Sequence, residues 1–103
     1  MIARTWRGTA TVANADAYAR HFRDNVAPQL QTLAGNRGAF LLRREAAGRT
    51  EFVALTFWNS REAVRAFAGD DIGKAHIEPQ ARAVLAEFDE QADHYEVAFS
   101  FSS

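Results

Sequence analysis

Along this chain the spacing of apolar residues switches repeatedly between two and about 3.6, and each switch marks an element boundary. Residues 2 to about 12 alternate, with Ile2, Arg4 and Trp6 on one face and Ala3, Thr5 and Arg7 on the other, which predicts a first strand with a bulge or bend at Gly8. Tyr18, Phe22, Val26, Leu30 and Leu33 then recur at helical spacing, behind Asn14 or Asp16 as N-cap. Pro28 removes a backbone donor, so the helix should break near Ala27 and restart with Pro28 at its first position, ending at a Gly35 cap. A turn at residues 36–38 leads to a second strand over 39–45, a hairpin around Ala47, Gly48 and Arg49, and a third strand over about 50–58.

That third strand sets Phe52, Ala54, Thr56 and Trp58 against Val53, Leu55 and Phe57, so both of its faces are largely apolar and both need cover. Asn59 and Glu62 form a capping-box pattern for a helix that buries Ala63, Val64 and Phe67 and stops at Gly69. Asp70 and Asp71 read as caps that restart a short helical segment through Ile77. Pro79 opens another helix with Ala81, Val84, Leu85 and Phe88 as its stripe, and residues 94–101 alternate as a last strand. The order strand, helix, strand, strand, helix, strand predicts a single α+β domain over 1–103. Its fold is the ferredoxin-like split βαβ, with helices on one face of an antiparallel four-stranded sheet. The other sheet face is expected to meet a second copy of the chain, giving a homodimer.

Composition narrows the partners. Lys and Arg total 12 against 13 for Asp and Glu, which lacks the basic footprint of a nucleic-acid binder. The absence of cysteine excludes disulfides, thiolate metal sites and cysteine nucleophiles, and suits a cytoplasmic location. Arg4 and Arg7 interrupt the apolar core that a secretion signal needs, and no run approaches the roughly 20 apolar residues of a membrane-spanning helix.

Candidate chemistry centres on the three histidines. His76 lies between two helix breakers beside small or apolar neighbours, and imidazole serves as a general base or a metal ligand. His21, next to Phe22, stands at the edge of the first helix's apolar stripe, and His94 opens the last strand as a turn or interface residue. Their spacing matches no HExxH-type metal pattern. Trp6, Trp58, Phe40, Phe57 and Phe67 are either core or the wall of a pocket for a planar aromatic molecule. Tyr18 and Asn25 on the first helix are either core and helix surface respectively or groups that orient a phenolic oxygen. Arg43, Arg44 and Arg49, interleaved with Glu45 and Glu51, read as a solvated hairpin or a dimer contact. No phosphate-binding glycine loop, dinucleotide fingerprint or nucleophile elbow occurs.

The strand at 50–60 running into the helix at 60–69 and then into residues 70–79 resembles the antibiotic biosynthesis monooxygenase family. So do the turn at Ala34, Gly35 and Asn36 and the terminal HYEV at residues 94–97. The resemblance implies the dimeric α/β-barrel variant of the ferredoxin-like fold. Members include cofactor-free oxygenases of phenols and quinols and haem-degrading enzymes. In the haem-degrading branch His76, in Lys74-Ala75-His76, falls on the axial haem ligand. Phe67 stands where that branch has tryptophan, and Trp6 or Thr5 where it has a first-strand asparagine. The resemblance thus implies a cofactor-independent oxygenase with His76 as base and Trp6, Phe67, Asn25, Tyr18 and Trp58 around the substrate. The alternatives are binding of haem or another planar metabolite, or a dimer without a ligand.

Overall fold

A computed structural model describes residues 1–102. It contains β1 (Ile2–Thr11), α1 (Val12–His21), a π-helical turn (Phe22–Val26), α2 (Ala27–Thr32), β2 (Asn36–Ala46), β3 (Arg49–Trp58), α3 (Arg61–Ala68), α4 (Pro79–Val84), β4 (Glu87–Phe88) and β5 (Asp93–Glu96). The sheet is antiparallel, with β2, β3 and β1 in that order and β4 and β5 sharing the far side of β1. This is the expected α+β, ferredoxin-like arrangement, with its fourth strand split in two. The β1–β3 ladder runs without a shift from Ile2 opposite Trp58 to Thr11 opposite Arg49. The helices cover the inward face, where β1 and β3 bury Ile2, Arg4, Trp6, Phe52, Thr56 and Trp58.

Local details depart from the expectations for identifiable reasons. Gly8 makes no bulge; a Cβ there would stand 2.8 Å from Cη2 of Trp6, so glycine admits the indole. Thr11, not Asn14 or Asp16, caps α1, its hydroxyl accepting from the Asn14 amide at 3.3 Å. The chain does not break ahead of Pro28. It widens into the π turn, where the Ala27 amide donates to the Phe22 carbonyl five residues back, and then continues as α2. Leu33, in extended backbone, already ends α2, and Gly35 instead lets the following turn press against Ala63. Ser60, rather than Asn59, caps α3 by accepting from the Ala63 amide.

Beyond Gly69 the expected helical segment is absent. Asp71 accepts from the Gly73 amide at 3.2 Å, closing a turn, and the chain then runs extended, with Ala75 donating to the Glu90 carbonyl. α4 stops at Val84, so Leu85 and Phe88 reach the core from extended backbone and from β4 rather than along one helical stripe. β5 ends at Glu96, short of the expected residue 101, leaving Phe99 and Phe101 exposed.

On the outward face the apolar residues of β2 and β3 meet each other and no helix covers them. Phe40 pairs with Leu55 and Leu42 with Val53, and these two β2 residues are 58% and 48% exposed. Phe40 meets Phe57 edge-on at 6.3 Å.

Candidate functional site

Strand alternation builds the floor of a pocket. On the inward face Arg4 stands opposite Thr56 and Trp6 opposite Ala54. Ala54, small between Phe52 and Thr56, leaves space that its bulkier neighbours would fill. α1 contributes Tyr18 and His21, the π turn Phe22 and Val26, α2 Gln29 and Leu30, and α3 Phe67; the extended segment 75–78 and Ala81 close the far side. The void is about 90 Å³. It separates two core clusters, one around Trp6, Tyr18 and Phe52 and the other around Phe22, Leu30 and Trp58. The π turn therefore lies at the boundary between them; such insertions recur at functional sites.

The polar groups within this apolar shell are few. Arg4 is 6% exposed, and burial pushes its pKa down from the ordinary value. Its guanidinium lies 5.6 Å from the Phe67 ring centre, within cation–π range, and Nη2 donates to the Lys74 carbonyl at a long 3.4 Å. Its Nε has no partner, and among the described residues Arg4 forms no ion pair. Glu78, the carboxylate of the pocket wall, accepts from Gln29 Nε2 at 3.4 Å instead. Tyr18 is buried against Phe52, ring centres 4.8 Å apart, and burial pushes its phenol up, so it stays protonated at neutral pH.

His21 is 9% exposed. Asn25 Nδ2 reaches back one turn to the His21 carbonyl and to His21 Nδ1, both at 3.3 Å. A carbonyl only accepts, so the amide must present its NH2 group; Nδ1 is then the acceptor, and a neutral ring carries its proton on Nε2. That buried Nε2 has no partner.

The sequence candidates separate accordingly. Trp6, Tyr18, Phe67 and His76 all line the pocket, with His76 exposed at its rim. The Trp6 indole is held by the Asp89 carbonyl at 2.8 Å. Asn25 is exposed and outside the lining, where it acts on His21. Trp58 does not reach the pocket: it lies fully buried beside Phe67, ring centres 5.9 Å apart, and donates to Thr56 Oγ1 at 2.8 Å. Arg4 was missed as a site residue, although an arginine between Ile2 and Trp6 on one strand face was a readable signal. His94 pairs with Arg4 across β1 and β5 and does not line the pocket. No cluster of three or more metal-ligating side chains occurs among the described residues.

A sequence model of the family described as "Antibiotic biosynthesis monooxygenase" matches residues 1–79. No curated protein matches the chain. Among solved structures, a Bacillus cereus protein provisionally named an antibiotic biosynthesis monooxygenase superposes with a TM-score of 0.69 at 17% identity, covering 100% of this chain and 96% of that one. A point mutant of SnoaB, a cofactor-independent oxygenase from Streptomyces nogalater, gives 0.68 at 18% identity, covering 99% and 97%. A point mutant of MhuD with two manganese protoporphyrin IX molecules bound per active site gives 0.65 at 19% identity, covering 100% of both chains. At these identities the structural likeness speaks for the fold.

Proposed function

The chain belongs to the antibiotic biosynthesis monooxygenase family, and from that premise we propose that it is a cofactor-independent monooxygenase of a phenolic or quinol-type aromatic molecule. The observation that carries this reading is the pocket itself: an aromatic-lined slot between sheet and helices, with a buried guanidinium in its wall and the His76 imidazole exposed at its rim. In the reaction His76 takes the phenolic proton. Arg4 stabilises the phenolate, since a buried cation without a counter-charge favours the anionic form of a neighbour. The phenolate passes one electron to dioxygen, and the phenoxyl radical and superoxide combine at a ring carbon as a peroxide anion, which takes back the proton held by His76. The resulting hydroperoxide loses water to give a quinone. Phenol plus dioxygen yields quinone plus water, so the substrate supplies every electron. Trp6, Tyr18 and Phe67 hold the ring. The enzyme acts as a homodimer, joined through the apolar outward face.

Oxygen uptake with a panel of naphthoquinols and anthrols tests the proposal. Wild type should exceed the rate in buffer with at least one member, and His76→Ala should lower kcat by about 100-fold or more, as loss of a general base does. Rates equal to buffer across the panel count against the oxygenase.

Haem binding through His76 is the second reading, favoured by the exposed imidazole beside the pocket. The void of about 90 Å³ is small beside the roughly 300 Å³ or more of ordinary ligand sites, and the smaller aromatic ligand fits it better. A saturable Soret shift in wild type that His76→Ala abolishes would replace the first reading with this one.

A further inference from the structure

Two side chains that line this pocket each carry a buried polar atom without a partner, and both atoms are donors. Arg4 Nε belongs to a side chain 94% withdrawn from solvent, and His21 Nε2 to one 91% withdrawn. They enter from opposite walls, Arg4 from β1 in the sheet and His21 from the end of α1. Buried polar groups are nearly always hydrogen-bonded, and an unpaired buried charge is costlier still, so two orphaned donors on side chains lining one cavity point to a ligand that reaches them as the side chains turn toward it. That ligand carries lone pairs and negative charge. The wall's carboxylate, Glu78, forms no ion pair with Arg4 and accepts from Gln29 Nε2 at a long 3.4 Å. The tautomer of His21 is set from outside the pocket by Asn25, whose amide is itself fixed by the His21 carbonyl. The donor at Nε2 is therefore held ready before any ligand arrives.

We propose that Arg4 and His21 form a carboxylate-binding site, so that the pocket takes aromatic carboxylic acids, the carboxylate lying against Arg4 and His21 and the ring against Trp6, Tyr18 and Phe67. A carboxylate matches the site better than a simple phenol does. It is ionised at neutral pH before binding, and its two oxygens accept from donors on two walls. The proposal rests on the pocket described above, as the substrate class of the proposed oxygenase, but does not depend on its reaction.

Isothermal titration of the purified protein with 2-naphthoate, 2-naphthamide and 2-naphthol at pH 7 tests it. The naphthoate should bind saturably and at least about tenfold tighter than the other two, the scale of a charge-assisted hydrogen bond. Arg4→Met, similar in length and uncharged, should erase that preference and raise Tm, because it removes a buried unpaired cation. Arg4→Lys should keep part of the preference. Asn25→Leu changes an exposed side chain and should weaken naphthoate while the fold is retained. Equal binding of the three probes, no binding at millimolar concentration, or a preference that survives Arg4→Met overturns the proposal; so does a fall in Tm for Arg4→Met with the preference intact. Tight binding of naphthoate without oxygen uptake by any carboxylated or plain quinol sinks the oxygenase alone. Uptake on plain quinols without a preference for naphthoate sinks the carboxylate site alone.

Discussion

Arg4 bears both on the pocket and on the strand next to β1. Arg4 faces the pocket, and across the strand pair its neighbour is His94, whose pKa is lowered, first by burial, then by the charges of Arg4 and Arg61, against the opposing pull of Asp93. His94 Nε2 is buried without a partner, so protonation would place a second unpaired cation beside Arg4. The sign of the linkage follows. The folded chain holds His94 neutral below the pH at which the unfolded chain protonates it, so the unfolded state binds more protons and stability falls as pH drops from about 6.5. Thermal unfolding between pH 5 and 7.5 should therefore show Tm declining toward the acid end, and His94→Gln should flatten that decline. Glu51 and Asp24, whose pKa values are lowered by arginine partners, act below about pH 4.5, outside this window. An unchanged slope in His94→Gln would remove His94 as its source.

At the scale of elements, backbone geometry is most exacting at the β2–β3 hairpin. Ala47 and Gly48 both have positive φ, 53° and 77°, the signature of a two-residue type I′ turn. Glycine adopts this freely, whereas alanine does so with its Cβ crowding the carbonyl. Ala47→Gly or Ala47→Asn should stabilise the protein by about 0.5–1 kcal/mol, read from urea unfolding midpoints at constant slope. A loss of stability would mean the turn tolerates Ala47 without strain. The π turn is the other local device. By inserting a residue ahead of Pro28 it spares α2 the clash that proline makes with a preceding α-helical turn, and it places Phe22 and Val26 on the pocket.

For the whole molecule the outward sheet face is the surface on which the proposed homodimer rests. Its apolar part includes Phe40, Leu42, Val53, Leu55 and Phe57, while at one end Glu51 bridges Arg7 and Arg44, each at 2.8 Å. A chain of 11.4 kDa gains substantially from covering such a face with a second copy. Light scattering at micromolar concentration should give twice the chain mass, and Leu42→Glu should shift it toward the monomer, since a carboxylate in an apolar interface is desolvated without a partner. A monomeric wild type would refute the dimer. No helix among the described residues is long and apolar enough to cross a membrane.

What the sequence by itself determined is what short-range periodicity encodes: the order of elements, the hairpin at Ala47 and Gly48, the antiparallel ferredoxin-like class, and the doubly apolar β3 that leaves one sheet face in need of cover. These follow from side-chain spacing within a few residues, which is local information. Tertiary structure decided the rest. Whether residues 70–77 coil or extend depended on neighbours such as Glu90, whose carbonyl takes the Ala75 amide from farther along the chain. The pocket is the clearest case. Trp6 and Phe67 were legible as aromatic candidates, but Trp58 belongs to the core because α3 lays Phe67 beside it. Arg4 and His21 acquire meaning only when β1 and α1 line one cavity with them and neither Nε nor Nε2 finds an acceptor. Burial and hydrogen-bond satisfaction are properties of the surroundings, and packing supplies those surroundings from residues remote in sequence.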